Sequence, residues 1–302
     1  MTSKILILGS NGQMGRASMR ALTREPDAID VVALGRELDI CDHALVASKL
    51  KEIKPDIVLN TAAFTAVDVC EIDPVRAFAT NATAVENLAN VCSELGSTLI
   101  HLSTDYVFGD EASAPIRESA IVAPLNVYGR SKADGERAIK NATSEHLIIR
   151  TSWIYGPDAG NFFATIMRLA GGKDKVTIVE DEASCPTLAN DLADCLVRVC
   201  EHIIAGTATF GTFHVAGSQG VSRLDFARAI MKVRAELGLK TAQVEATTQA
   251  AYGAPARRPI DSRLDCTAFL KAYGTLPRGL DACLPSLIGQ NSIQQSMKSR
   301  TD

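Results

Sequence analysis

The chain has 302 residues, of which 46% are hydrophobic and 22% charged, and its formal net charge is −4. This composition is typical of a globular protein with enough apolar material for one large domain or two modest ones. The negative charge argues against a nucleic-acid surface, and the short apolar run KILIL argues against a signal peptide or a membrane span.

The first half of the chain alternates short apolar runs with longer segments of helical period. Continuous apolar strands separated by helices indicate a parallel sheet that is covered on both faces. We therefore predict an α/β fold with a Rossmann-type, doubly wound parallel sheet. The predicted strands are 4–8, 30–34, 56–60, 98–103 and 146–151, and the predicted helices are 13–24, 43–53, 74–95 and 127–142.

Beyond residue 151 the alternation is less regular. The pattern predicts helices over 161–171, 187–204 and 222–237, strands over 175–179 and 211–215, and an ordered loop over 251–262. We predict a dinucleotide-binding domain over 1–151, a smaller α/β region for substrate over 152–288 and a flexible tail over 289–302. The eight cysteines include no C-x-x-C pair, so we expect reduced thiols and a cytoplasmic protein.

A glycine-rich turn, GSNGQMG, follows the first predicted strand. Its glycines, Gly9, Gly12 and Gly15, lie between that strand and a helix. Such a turn lets backbone N–H groups approach a pyrophosphate at the positive end of the helix. The turn predicts a dinucleotide site, and the alternative is a turn with a structural role only.

The end of the second strand bears on the choice of cofactor. NAD-selective sites place an acidic side chain there, which accepts a hydrogen bond from the ribose. This chain has Gly35 and Arg36 at that position, followed by Glu37 and Asp39. A guanidinium suits the 2′-phosphate of NADPH, so we predict NADPH. NADH stays an alternative, and so does the interpretation of Arg36 as a solvated surface residue.

Polar side chains follow the fourth strand, where ligands bind in a parallel sheet. Ser103, Thr104 and Asp105 end that strand, and Tyr128 and Lys132 lie one helical turn apart in the next helix. A lysine cation near a tyrosine lowers the pKa of the phenol, which could then exchange a proton during hydride transfer to a carbonyl. An ordinary Tyr–Lys neighbour pair on a helix is the alternative.

Six motifs resemble the extended short-chain dehydrogenase/reductase family. They are GSNGQMG, DIVLNTAAFTAVDVCE, STDYVFGD, PLNVYGRSKADGE, RTSWIYG and ARRPIDSRLD, spread over residues 5–265. The resemblance implies NADPH-dependent reduction of the C4 ketone of a nucleotide-diphosphate sugar, dTDP-4-dehydro-L-rhamnose. It implies that Thr104, Tyr128 and Lys132 are catalytic, with Tyr128 as the proton donor and Lys132 also holding the nicotinamide ribose.

The resemblance also implies the binding residues. Gly9, Gly12, Gln13 and Met14 would bind the pyrophosphate, Asp39 and Ile40 the adenine, and Ala62, Ala63, Phe64 and Thr65 the inner half of the cofactor. Thr104, Asp105 and Trp153 would contact the sugar nucleotide, and Arg258 its diphosphate. As alternatives, Trp153 belongs to the core, Asp105 caps a turn, and Arg258 pairs with a surface carboxylate.

Two positions depart from the family pattern. Gly35 stands where members that use either cofactor can carry an acid, which favours NADPH. Arg16 stands where some members carry a glutamate that binds a bridging magnesium ion. We therefore predict no metal site, doubtful use of Mg²⁺, and a monomer or weak homodimer. Two rival functions stay open, namely a non-catalytic NADP-binding regulatory subunit and a reductase or epimerase for another nucleotide sugar.

Overall fold

The computed structural model describes residues 2–24, 29–158 and 160–298. Its strands are β1 (Ser3–Leu8), β2 (Ile29–Leu34), β3 (Ile57–Asn60), β4 (Thr98–Thr104), β5 (His146–Thr151), β6 (Ile154–Tyr155), β7 (Lys175–Val179), β8 (Ala183–Ser184), β9 (Thr187–Leu188), β10 (Gly211–His214), β11 (Val221–Ser222) and β12 (Gln243–Thr247).

The helices lie mostly between these strands. They are α1 (Gln13–Leu22), α2 (His43–Ile53), α3 (Val67–Ile72), α4 (Pro74–Phe78), α5 (Ala84–Leu95), α6 (Val127–Ala142), α7 (Phe162–Gly172), α8 (Ala189–Ile204), α9 (Arg223–Glu236), α10 (Gln249–Tyr252), α11 (Thr267–Tyr273) and α12 (Leu280–Lys298). A π-helical turn covers Ala79–Thr83 and a 3₁₀ turn covers Asp105–Val107.

One sheet organises the molecule. Its six strands lie in the order β10-β5-β4-β3-β1-β2, and every neighbouring pair is parallel. The predicted doubly wound fold is confirmed. The chain runs outward from β1 to β2 and then returns to place β3 on the other side of β1, so the topological switch lies between β1 and β3. Ligands in such sheets bind at the carboxyl edge beside this switch.

The sheet is covered on both faces, and the apolar strand β1 shows why. Along β1, Ile5 and Ile7 belong to one core with α1, α8 and α11. Leu6 and Leu8 belong to a second core with α2, α5 and α6. Alternate side chains of a strand point to opposite faces, so a run without polar residues requires helices on both sides.

The predicted helix over 74–95 is interrupted in the structure. The π-helical turn Ala79–Thr83 separates α4 from α5. Asn81 lies in this turn, and its side chain is hydrogen-bonded to both the backbone N–H and the carbonyl of Phe64. A Cβ on Gly135 of α6 would lie 2.2 Å from the Asn81 carbonyl oxygen. The turn is thus fixed by tertiary contacts that helical periodicity does not encode.

The chain beyond residue 151 builds a third core and also returns to the main sheet. β7 and β12 pair in parallel over α7 and α9. The predicted strand near 211–215 is β10, which pairs with β5, and α8 packs against α1. The sequence analysis assigned the dinucleotide-binding domain to 1–151 alone, whereas the sheet draws on both parts of the chain.

The last described helix, α12, covers part of the predicted tail and was not predicted as a helix. Residues 289–298, which the sequence analysis assigned to a flexible tail, continue α12 to Lys298, and residues 299–302 lie outside the described ranges. The helix continues past Pro285, although a proline lacks the N–H that donates to the helical ladder. In the described part of the chain, none of the helices combines the length and apolar composition that a membrane crossing requires.

Candidate active site

Three connected cavities run along the carboxyl edge of the sheet. The glycine-turn cavity, about 570 Å³, contains Gly9, Arg36 and Asp39 in its wall. The central cavity, about 450 Å³, shares Gly12, Thr61 and Ala63 with it. The outer cavity, about 720 Å³, shares Phe162 and Arg223 with the central one. Every binding or catalytic residue expected from the sequence lines one of the three.

The glycine turn is built for close backbone approach. Gly9 has φ +76°, and a Cβ there would lie 2.7 Å from the Ala62 nitrogen. A Cβ on Gly15 would lie 2.3 Å from the Gly9 carbonyl oxygen. Gly12 is the residue before α1, and no side chain there accepts a hydrogen bond from the first N–H groups of the helix. The turn thus brings these donors to the wall that Gly12, Gln13 and Met14 form.

The end of β2 offers a cation to the glycine-turn cavity. Arg36 lines the cavity and is exposed, and no ion pair is recorded for it within the described ranges. The two neighbouring acids are engaged with backbone groups: Glu37 accepts from the Gly35 N–H at 2.6 Å and Asp39 from the Cys41 N–H at 2.9 Å. The Gly35 N–H bond lowers the pKa of Glu37.

The inner wall of this cavity carries an arginine that the sequence analysis did not identify. Arg76 of α4 lies 4.5 Å from the centre of the Phe64 ring and lines the same cavity as Arg36. Ala62, Ala63 and Phe64 line it too, while Thr65 faces the central cavity. Arg76 approaches Arg36 only through folding, and no sequence pattern pointed to it.

The start of α6 brings Tyr128 to the central cavity. Asn126 caps the helix by accepting from the Gly129 N–H at 2.8 Å, and Glu71 accepts from the Val127 N–H at 2.6 Å. A Cβ on Gly129 would lie 2.1 Å from the Tyr106 carbonyl oxygen. The glycine therefore lets the helix start directly beside the end of β4.

Thr104, Tyr128 and Lys132 all line the central cavity, but the phenol does not behave as the sequence suggested. Burial raises the pKa of Tyr128, and a hydrogen bond with Thr104 opposes that shift. The Lys132 side-chain nitrogen lies 2.8 Å from His101 Nε2 and donates to the Leu102 carbonyl at 2.7 Å. Burial lowers the pKa of Lys132 to about 8, with Glu136 opposing. The expected lowering of the phenol pKa by Lys132 is not what the structure shows.

Asp105 is a buried carboxyl at the base of this cavity. It is 2% exposed, and it accepts from the hydroxyls of Thr104 at 3.1 Å, Ser184 at 3.0 Å and Ser262 at 2.5 Å. Burial raises the pKa of Asp105 to about 6, and these hydrogen bonds oppose the shift. The carboxyl thus orients Thr104 and joins β4 to residues of the C-terminal part.

Arg223 lines both the central and the outer cavity, and Trp153 lies beside it in the wall of the central one. Trp153 has φ +41°, a region that a residue with a side chain rarely adopts. Arg223 lies 3.6 Å from the centre of its indole ring and pairs with Glu182 at 3.5 Å. Arg223 was not predicted, since an arginine opening an amphipathic helix carries no signal by itself.

Arg258 lines the outer cavity, where a residue that binds the substrate diphosphate is expected. It also forms an ion pair with a carboxylate, which was the alternative interpretation of this residue. Both of its terminal nitrogens donate to Asp68 at 2.8 Å, and these bonds lower the pKa of Asp68. Arg223, held by the longer contact to Glu182, is therefore the less fully paired cation of the two.

Arg16, at the position that raised doubt about magnesium, pairs with Asp158 at 3.1 Å. In the described part of the chain, no group of three or more histidine, cysteine or acidic side chains is arranged to hold a metal ion. Independence from magnesium stays a prediction.

Comparison with known proteins places this site in a family. Residues 3–292 match the family model described as RmlD substrate binding domain. The dTDP-4-dehydrorhamnose reductases of Sinorhizobium fredii and Escherichia coli K12 are each 37% identical to this chain. The first alignment covers 90% of the chain and 92% of the relative, and the second covers 89% and 91%.

Solved structures agree. The Bacillus anthracis dTDP-4-dehydrorhamnose reductase in complex with NADP superposes with a TM-score of 0.87 at 30% identity, over 96% of this chain and 100% of that one. The UDP-glucose 4-epimerase of Brucella ovis, at 18% identity and a TM-score of 0.78 over 94% and 96%, shares the fold. By its sequence over nearly its whole length, and by its fold, the chain belongs to the dTDP-4-dehydrorhamnose reductase family.

Proposed function

We propose that this protein reduces the C4 ketone of dTDP-4-dehydro-L-rhamnose to the alcohol of dTDP-L-rhamnose, with NADPH as the reductant. One observation carries the proposal: Thr104, Tyr128 and Lys132 share a cavity that opens on one side to the glycine turn and on the other to Arg223. A cofactor and a sugar nucleotide bound from opposite ends would meet beside these three side chains.

The chemistry requires a hydride at C4 and a proton on its oxygen. NADPH supplies the hydride when bound, and the glycine turn, Arg36 and the loop after β3 are the residues suited to hold it. Tyr128 supplies the proton. Because burial raises the pKa of its phenol, the hydroxyl keeps its proton until hydride transfer makes the C4 oxygen basic. The Thr104 hydroxyl donates to Asp105 and is also hydrogen-bonded with Tyr128, so its oxygen accepts from the phenol and holds it near the reacting oxygen.

The outer cavity suits a nucleoside diphosphate. Arg223, Arg257 and Arg258 contribute positive charge to its wall, and guanidinium groups bind phosphate oxygens well. Because Arg223 lies at the boundary with the central cavity, we assign the diphosphate to it in preference to Arg258, whose guanidinium is bound to Asp68. Trp153 beneath it would then contact the sugar.

The direct test is oxidation of NADPH by the full chain on addition of dTDP-4-dehydro-L-rhamnose, with the sugar product identified by mass. Binding of NADP without turnover would instead support the regulatory-subunit alternative. Faster turnover of a 4-keto sugar carried on another nucleotide would support the alternative of a different sugar nucleotide.

Arg223→Ala tests the substrate end separately. We expect a rise in the KM for the sugar nucleotide with little change in the affinity for NADPH. Arg228→Ala is the matched control, because Arg228 lies on the same helix and pairs with Asp225 on an exposed surface. Equal effects of the two variants would contradict the placement of the diphosphate.

We also propose a cytoplasmic location and a monomer or weak homodimer. All eight cysteines are free thiols, which suits a reducing compartment.

A further inference from the structure

The outer cavity has room for more than a diphosphate. The proposed function puts the reacting sugar beside Tyr128 and its diphosphate at Arg223. The nucleoside must then lie further out, in the cavity of about 720 Å³ that Arg223 borders. A nucleobase has two flat π-faces, so its binding site calls for a flat apolar side chain with a free face.

Two aromatic side chains, Phe162 and Tyr252, lie in the wall of the outer cavity. The Phe162 ring already has two protein neighbours. Its centre lies 5.2 Å from that of the Phe226 ring and 4.9 Å from the guanidinium carbon of Arg223. Phe162 therefore serves to support the arginine at the boundary between the two cavities, which leaves Tyr252 as the aromatic side chain that can receive a base.

The Tyr252 side chain is 63% exposed and open to a ligand. Within residues 2–24, 29–158 and 160–298, its ring contacts no other aromatic ring or guanidinium, and its hydroxyl has no hydrogen bond to another residue. A single exposed apolar side chain is ordinary on a protein surface. This one, however, lies in the wall of a cavity that also contains Arg223, Arg257 and Arg258, so a nucleotide whose phosphates bind there brings its base within the same cavity.

The helix that carries Tyr252, α10, is fixed to the rest of the outer cavity. The Gln249 backbone N–H donates to Asp181 Oδ1 at 2.8 Å, and the Gln249 side-chain oxygen accepts from the Arg258 backbone N–H at 3.1 Å. Gly253 ends the helix with φ +67°, a conformation that favours glycine. The position of Tyr252 relative to the arginine loop is therefore set before a ligand binds.

We propose that Tyr252 stacks on the nucleobase of the sugar nucleotide and forms the outermost part of the substrate site. The inference rests on the proposed function, which supplies a nucleotide-diphosphate substrate. Every base has a π-face, so stacking adds affinity for the nucleoside with little preference among bases. Tyr252 therefore contributes affinity for the nucleotide and not the choice of thymine.

Removal of the ring should weaken only those ligands that carry a base. We expect Tyr252→Ala to raise the Kd for dTDP about tenfold, the scale of one base–aromatic stack, and the Kd for UDP by a similar factor. The Kd for 2-deoxyribose 5-diphosphate, which is dTDP without its base, should change by less than about twofold. Tyr252→Phe keeps the ring face, so its Kd for dTDP should stay within about twofold of the wild type.

The measurement is isothermal titration calorimetry of each ligand into the full chain saturated with NADP⁺. Phe210→Ala is the matched control, because Phe210 is also an exposed aromatic side chain, at 37%. It is not among the described residues that line the three cavities. Its removal should leave the Kd for all three ligands unchanged.

Equal losses of affinity for dTDP and for 2-deoxyribose 5-diphosphate in Tyr252→Ala would overturn the proposal, because the ring would then only support the loop. A Tyr252→Phe variant as weak as Tyr252→Ala would also overturn it, since the hydroxyl and not the ring face would then bind. So would a wild type that binds dTDP no more tightly than the ligand without a base.

The calorimetry and the NADPH oxidation assay fail separately. Turnover without base-dependent binding would refute only the assignment of Tyr252. Base-dependent binding that is lost in Tyr252→Ala, without turnover, would refute only the proposed reductase activity.

Discussion

The buried carboxyl of Asp105 predicts an unusual pH dependence of stability. Burial raises the pKa of this carboxyl from its ordinary 3.8 to about 6. A group whose pKa is raised on folding binds its proton more tightly in the folded state. The folded protein therefore loses free energy of unfolding as pH rises from the unfolded pKa through about 6. Two pKa units correspond to about 3 kcal/mol.

Asp105→Asn isolates this effect. The amide has the size of the protonated carboxyl and does not ionise. The variant should therefore not lose free energy of unfolding at this site as pH rises. We expect the free energy of unfolding of the variant, minus that of the wild type, to rise by about 2–3 kcal/mol between about pH 4 and about pH 7.5. Any cost of altered hydrogen bonds to Ser184 and Ser262 shifts the whole curve by a constant. Urea unfolding of the cofactor-free protein across this range measures the difference.

Asp191→Asn gives a control of opposite sign. Burial alone would raise the pKa of Asp191, but the hydrogen bonds from Arg278 outweigh it and the pKa is lowered. The free energy of unfolding of the wild type therefore gains from this group as pH rises. The variant lacks this gain, so its free energy of unfolding should drop relative to that of the wild type. A difference between Asp105→Asn and the wild type that does not vary with pH would refute the assignment of Asp105 as a buried ionisable group.

Three predictions concern the reaction. Tyr128→Phe should keep NADPH binding, measured by fluorescence titration, and lose reductase activity by roughly two to four orders of magnitude. Activity within about tenfold of the wild type would argue against Tyr128 as the proton donor. Arg36→Ala should raise the KM for NADPH and spare that for NADH, because only NADPH carries the 2′-phosphate, and equal losses would contradict the cofactor assignment. EDTA should change neither turnover nor the mass measured by light scattering, and activity or a dimer restored by magnesium would show that the region of Arg16 has been misread.

The main sheet was predictable because its physical signal is local. Each of the five predicted strands is an apolar run between helical segments, and the structure contains all five. β12, with the sequence QVEAT, was missed because it is too polar to show as a buried strand. β10 was found, but its place beside β5 was not, since the partner of a strand depends on packing and not on its own sequence.

Without the family resemblance, the candidate site showed in the sequence only where its residues occur close together. Tyr128 and Lys132 share a helical turn and the three glycines of GSNGQMG share a loop, whereas Trp153 and Arg258 came from the resemblance. His101, Arg76 and Arg223 were missed because each comes close to the other residues of the site only through folding. His101 lies inside an apolar strand, where sequence offers no distinction between a buried hydrogen-bonded residue and a catalytic one.

The C-terminal part of the chain holds the residues that we propose as catalytic in place, and the loop over 251–262 makes most of these contacts. Ser262 donates to Asp105 below Thr104, and Arg258 binds Asp68 of α3. The Asn126 side chain, which caps the helix of Tyr128, donates to the Arg257 carbonyl at 2.8 Å. Each contact satisfies a polar group of the first 151 residues with one from beyond them, and a buried polar group that loses its partner is costly. A division of the chain at residue 151 therefore separates the predicted cofactor-binding and substrate-binding residues along the sequence but not in the folded structure. The positions of Thr104 and Tyr128 depend on the loop over 251–262, which also lines the outer cavity.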